Sequence, residues 1–135
     1  MDKSVFLDTS YTIALSNKDD KYCKRASEIS KEIISNRINI VTTELVLIEI
    51  ADSLAKTKYR NRCIYTMHDI RGMAYVIQLG NSRNSKAWSL YEKMTDKEWG
   101  LTDCFSFIVM KEFDIKQALT TDKHFDQAGF ERLLK

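Results

Sequence analysis

Short apolar runs alternate with helix-length segments along the whole chain, and this alternation constrains the fold more than any other feature. The runs occupy residues 5–7 in SVFLDTS, 38–41 in INIVTT, 73–79 in MAYVIQL and 115–119 in DIKQAL. MAYVIQL carries the best strand signal of the four. Between them, residues 11–16, 18–36, 44–56, 61–70, 84–94 and 101–113 read as helices. In the second of these, Cys23, Ala26, Ile29, Ile33 and Ile34 recur at helical spacing. Thr42 or Thr43 is suited to cap the helix at 44, and Thr102 the helix before Phe113. Buried strands alternating with helices predict a central parallel sheet of four to five strands covered on both faces, a three-layer α/β/α fold.

With 135 residues the chain is predicted to form one domain spanning 1–135, and no proline, repeat or charge block marks a boundary within it. Its 44% apolar and 30% charged residues exclude a disordered or fibrous chain. The opening MDKSVFLDTS has an acid at position 2 and no apolar stretch of signal-peptide length. No run approaches the ~18 apolar residues of a membrane span, so a cytoplasmic protein without membrane association is expected. Cys23, Cys63 and Cys104 are odd in number and form no CxxC, which favours reduced thiols over a disulfide frame or a zinc site. His68 and His124 are too far apart in sequence to suggest a ligand pair.

In an open parallel sheet the ligand site lies beyond the carboxyl ends of the strands, where the strand order reverses. Asp8 and Asp122 both stand at such strand ends. Glu49 lies in a polar wedge with Asp52 and Ser53 on an otherwise apolar, and therefore mostly buried, helix. Asp103 opens a helix, above Phe107 and Met110. Taken singly, the four have ordinary explanations: a strand-end turn, a surface acid, a helix N-terminal charge and an Asx turn. The segment KTKYRNR at 56–62 puts Lys56, Lys58, Arg60 and Arg62 together without an acid. It reads as a basic helix end and solvated loop, or as a phosphate-contacting rail. The net charge of +2 favours neither reading.

Jointly, VFLDTS, ELVLIEIADSL, DKEWGLTDCFSFIVM and ALTTDKHFDQAGFERLL resemble the four motifs of the PIN domain family, in the family order, and most closely the VapC-type toxin ribonucleases. The resemblance runs from Val5 to Leu134. It assigns Asp8, Glu49, Asp103 and Asp122 as catalytic and metal-binding acids. Ser10 and Thr120 become supporting hydroxyls, and Asp96 a further acid that either reaches the site or caps a turn. Asp52, Glu98 and Asp126 remain structural on this reading, and His124 and Phe125 belong to a tail common in the family.

Four converging carboxylates repel one another unless one holds a proton or a cation joins them. Oxygen ligands without converging Cys or His point to Mg²⁺ or Mn²⁺, as one or two ions. The resemblance implies an endoribonuclease acting on single-stranded or looped RNA, the toxin of a toxin–antitoxin pair. It also implies a homodimer and a cognate antitoxin whose tail occupies the cleft. A housekeeping RNA-processing nuclease, or a catalytically silent module binding RNA or protein, are the alternatives. A haloacid dehalogenase-type phosphotransferase needs a second Asp where this chain has Ser10, and no receiver-type phosphoacceptor or lysine is found in context.

Overall fold

The computed structural model describes residues 1–135, with the side chain of residue 57 left out of account. Its elements, in chain order, are β1 (Ser4–Leu7), α1 (Thr9–Ser16), α2 (Cys23–Ser35), β2 (Asn39–Thr43), α3 (Glu44–Ser53) and α4 (Thr57–Met73). β3 (Ala74–Ile77), α5 (Asn81–Lys93), α6 (Leu101–Glu112), β4 (Gln117–Leu119), α7 (Lys123–Gln127) and β5 (Glu131–Arg132) follow. The five strands form one sheet in the order β3-β2-β1-β4-β5, and every pairing is parallel. Phe6 stands opposite Val41 on one side and Ala118 on the other.

From β1 the chain steps outward through β2 to β3, then crosses back to β4 and continues to β5. Right-handed crossovers put the helices of the two halves on opposite faces of the sheet. The helix contacts agree: α1 packs on α2, α3 and α4, whereas α5 packs on α6 and α6 on α7. The order therefore reverses at β1, and the crevice between the carboxyl ends of β1 and β4 is the topological switch point.

Val5, Phe6, Leu7, Ala118 and Leu119 are buried, as strands with helices on both faces require. Beneath the carboxyl end of β4, Phe107 from α6 meets Phe125 from α7 edge-on at 5.0 Å between centroids, and Trp99 at 4.9 Å. Trp99 also donates from Nε1 to Gln127 Oε1 at 3.0 Å. This aromatic cluster ties the loop before α6 to the short helix after β4.

Several expectations need correction. MAYVIQL forms a strand but not a buried one: β3 is the sheet edge, with Tyr75 64% exposed and its neighbours half-buried. α3 ends at Ser53, and its apolar circumference is not all covered, since Ile48 is 56% exposed. α4 starts at Thr57 rather than 61, so the basic segment opens a helix instead of ending one. Its cations therefore lie at the positive end of the dipole, which disfavours them. α6 is capped at Gly100, not Thr102, whereas Thr43 caps α3 through Val46 N–H at 3.1 Å. α7 and β5 add two elements beyond β4.

Phe107→Ala is expected to lower stability by about 3–5 kcal/mol, the usual cost of emptying an aromatic core site. Tyr75→Ala on the exposed edge should change it by less than about 0.5 kcal/mol. Urea denaturation of both variants checks the ranking.

Candidate acidic site at the switch point

Asp8 directly follows β1 and occupies the N-cap position of α1. It is only 6% exposed, an unusual setting for a carboxylate. Its backbone N–H donates to Leu119 O at 3.2 Å, extending the β1–β4 ladder by one step. Its Oδ2 accepts the hydroxyl of Thr120, buried just beyond β4, at 2.7 Å.

That single hydroxyl proton orders the surrounding network. Because Thr120 donates to Asp8, its oxygen can only accept from others. It takes the Asp122 N–H at 3.0 Å, and Ser10 Oγ stands 3.2 Å away as the remaining donor. Ser10 Oγ in turn accepts the Thr121 N–H at 2.9 Å. Thus Asp8 and Asp122 are joined through one threonine, and Ser10 braces the turn between them. Thr9, next to Asp8, donates its hydroxyl to Glu49 Oε1, bringing α3 to the same rim.

Asp103 approaches from the other half of the sheet. It lies in the first turn of α6, where its Oδ2 accepts the Gly100 N–H at 3.1 Å. The same oxygen lies 3.2 Å from His124 Nδ1. Asp122 caps α7 through an Asx turn, its Oδ1 accepting the His124 N–H at 2.9 Å. Asp103, Asp122 and His124 can each offer a ligand atom, all within 4.8 Å of one another.

The electrostatics tie these acids together. Burial pushes the Asp8 carboxyl up from 3.8 to about 7, and the nearby charges of Glu49 and Asp103 push the same way. Hydrogen bonds from the Thr120 hydroxyl and the Thr9 N–H oppose the rise without cancelling it. Asp103 is raised first by burial and then by Asp122, while Gly100 N–H and His124 pull it down. The four carboxylates therefore form one coupled series from Glu49 through Asp8 and Asp103 to Asp122.

Other sequence candidates lie elsewhere. Asp96 is in the turn between α5 and α6, 72% exposed and 3.7 Å from Lys97, and no hydrogen bond or ion pair joins it to the four acids among the described residues. Lys56, Lys58, Arg60 and Arg62 are all exposed. Arg60 donates to Ala55 O at 3.0 Å and shares a hollow with Asp52, whereas Arg62 borders a separate cavity beside α1 and α2. Arg60 and Arg62 thus border different hollows. Two residues at the site carry contacts that no motif or helical spacing reveals: Thr9 to Glu49, and His124 to Asp103.

A parallel sheet whose switch point carries one buried carboxylate coupled to shallower ones defines a class of α/β domains with an acidic cleft suited to hard cations. The chain belongs to the PIN domain family, whose model matches residues 5–131. No curated protein sequence matches it. Among solved structures it is similar to Mycobacterium tuberculosis VapC20, described as a sarcin–ricin loop cleaving toxin, at 25% identity and a TM-score of 0.80 over 93% of this chain and 95% of that one. It shares its fold with Rickettsia felis VapBC2 bound to a promoter DNA fragment, at 13% identity, TM-score 0.70 and 96% of both chains. FitAcB from Neisseria gonorrhoeae matches at 15% identity, TM-score 0.67 and 95% of both chains.

The raised Asp8 value has a consequence for stability. Between pH 3.8 and about 7 the folded protein keeps a proton that the unfolded chain has released. Stability therefore falls as pH rises through that window, by up to roughly 4 kcal/mol, and levels off above it. Asp8→Asn removes this loss, so in EDTA the variant should gain more on wild type at pH 8 than at pH 4.5. Urea denaturation at both pH values measures the difference, and an equal gain at both would contradict it.

Proposed function

We propose that this chain is a metal-dependent endoribonuclease that hydrolyses RNA phosphodiester bonds as the toxin of a toxin–antitoxin pair. The observation that carries this reading is the coupled series of Asp8, Glu49, Asp103 and Asp122 at the switch point. Its most buried member is held near pH 7 by desolvation and by its neighbours. Such a site is costly without a cation, and a cation would relieve it.

The donor set fits Mg²⁺ or Mn²⁺: Asp103 and Asp122 can offer oxygens within 4.8 Å of each other, and Asp8 and Glu49 join the same rim through Thr120 and Thr9. Asp8, Glu49, Asp103 and Asp122 would hold one or two such ions. When bound, the metal supplies an activated water and stabilises charge on the phosphodiester oxygens. Asp8, with one oxygen fixed by Thr120, presents the other from a defined direction. Thr120 and Ser10 hold the Asp8 and Asp122 ends of the site together and do not themselves attack the substrate. Thr9 steadies Glu49 at the exposed end. Of the basic segment, Arg60 is the better placed for RNA phosphates. It shares a hollow with Asp52, which in turn borders the hollow of Glu49 and Thr102.

The named target of VapC20, a ribosomal RNA loop, supports a looped RNA as substrate. The VapBC2 and FitAcB structures support a cognate antitoxin as partner, and a homodimer belongs to the same reading. Among the described residues no helix is long and apolar enough to cross a membrane, and a cytoplasmic site of action belongs to the toxin reading.

The purified protein is expected to cut a loop-bearing RNA in Mn²⁺ or Mg²⁺ and to stop in EDTA. Asp8→Asn and Asp122→Asn, checked for folding by circular dichroism, should each lose at least about 100-fold in rate, the scale seen when an electrostatic catalytic group is removed. Equal activity, or equal inertness, of wild type and variants would favour a silent RNA- or protein-binding module. Growth arrest on expression, relieved by co-expression of a small adjoining gene, separates a toxin from a housekeeping nuclease.

A further inference from the structure

His124 stands between two acids that reach the cleft from different elements. Its Nδ1 is 3.2 Å from Asp103 Oδ2, on α6, and 3.3 Å from Asp122 Oδ1, at the turn after β4. Two carboxylate oxygens facing one ring nitrogen make that nitrogen the protonated donor and select the Nδ1–H tautomer. Asp103 Oδ2 then has no capacity to spare, whereas the bond to Asp122 Oδ1 comes from the His124 backbone. Asp103 Oδ2 already accepts the Gly100 N–H, and Asp122 Oδ1 already accepts the His124 N–H. The second oxygen of each carboxylate, Asp103 Oδ1 and Asp122 Oδ2, has no side-chain or backbone hydrogen bond among the described residues.

We propose that His124 is a positioning residue of the cleft, a clamp whose Nδ1–H holds one oxygen of Asp103 while its backbone N–H holds one of Asp122, so that their free oxygens are fixed for a shared divalent cation. The proposal rests on the metal-site reading above and adds a specific task for a residue outside the four acids. Both ends of the clamp are anchored. The ring leaves the first turn of α7, whose next residue, Phe125, is fully buried against Phe107 and Phe6. Asp103 is fixed by the Gly100 cap of α6. Without the ring donor, two like charges would face each other across the gap, and Asp103 could rotate its oxygens out of register with those of Asp122. Outer partners of this kind typically contribute a factor of about 10–100 in metal affinity.

The test is metal binding, measured by titration calorimetry at pH 8 on EDTA-stripped protein, with Mn²⁺ and Mg²⁺ in separate runs. His124→Ala is expected to weaken both ions by about 10–100-fold. His124→Asn puts an amide N–H where Nδ1 stood and should restore binding to within about threefold. Long-range ¹⁵N–¹H spectra of the metal-free wild type should show the Nδ1–H tautomer, a readout that needs no variant to fold. Wild-type affinity in His124→Ala would overturn the clamp, as would an Nε2–H tautomer or a folded His124→Asn that fails to rescue. A loss confined to Mn²⁺ and unrescued by Asn would make the ring nitrogen a direct ligand, which also overturns it. If wild type and Asp103→Asn alike bind neither ion, the metal-site reading itself fails and the clamp with it. Weak binding in Asp103→Asn beside strong wild-type binding leaves the result to the His124 variants alone.

Discussion

The hydroxyl of Thr120 is where the sheet becomes a site. It donates to Asp8 and accepts from Asp122 N–H, so the ends of β1 and β4 are joined by one atom just past the last shared ladder bond. Because that oxygen has one proton and that proton is committed, the direction of each neighbouring bond follows, including the donation from Ser10. A valine here would keep the volume and remove the junction. Asp8 would then be buried with less to hold it, and the turn carrying Asp122 would lose its tie to β1.

The acids are graded in depth. Asp8 is buried, the Asp103 side chain is 19% exposed, the Asp122 side chain 35%, and Glu49 is open to solvent. The inner member is therefore the one whose charge costs most, and its carboxyl is the one pushed up to about 7. The protein stabilises this arrangement only partly with hydrogen bonds, which is the usual sign that a group is kept for function rather than for folding.

Much of this was legible in the chain. Residues 5–7 and 115–119 read as strands because they are short, apolar and bounded by turn residues, and both prove to be central. Residues 73–79 gave the stronger signal yet form an edge strand. Apolar character is also what the half-covered side of an edge requires when α3 and α4 pack nearby, and sequence does not distinguish the two cases. The basic segment reads as a helix end because cations suit a helix C-terminus, yet α4 begins there, held by its continuation through Cys63, Met67 and Ile70 into the core. α7 and β5 are too short for periodicity to reveal. The four acids could be named from their motifs, but Thr9 and His124 could not be assigned tasks. Their partners lie 40 and 21 residues away, and only the closed fold brings them together.

The depth gradient also bears on how the proposed substrate, a phosphodiester, would enter such a cleft. A polyanion approaching Glu49 and Asp122 would meet like charge at the rim. On the metal-site reading, attraction would come from inside the cleft, from a cation neutralising Asp8, Asp103 and their neighbours. On the proposed metal-site reading, electrostatics would require the cation to bind before the substrate. The groups that orient the carboxylates, Thr120, Ser10, Thr9 and His124, would then act on substrate affinity and chemistry alike through that ion.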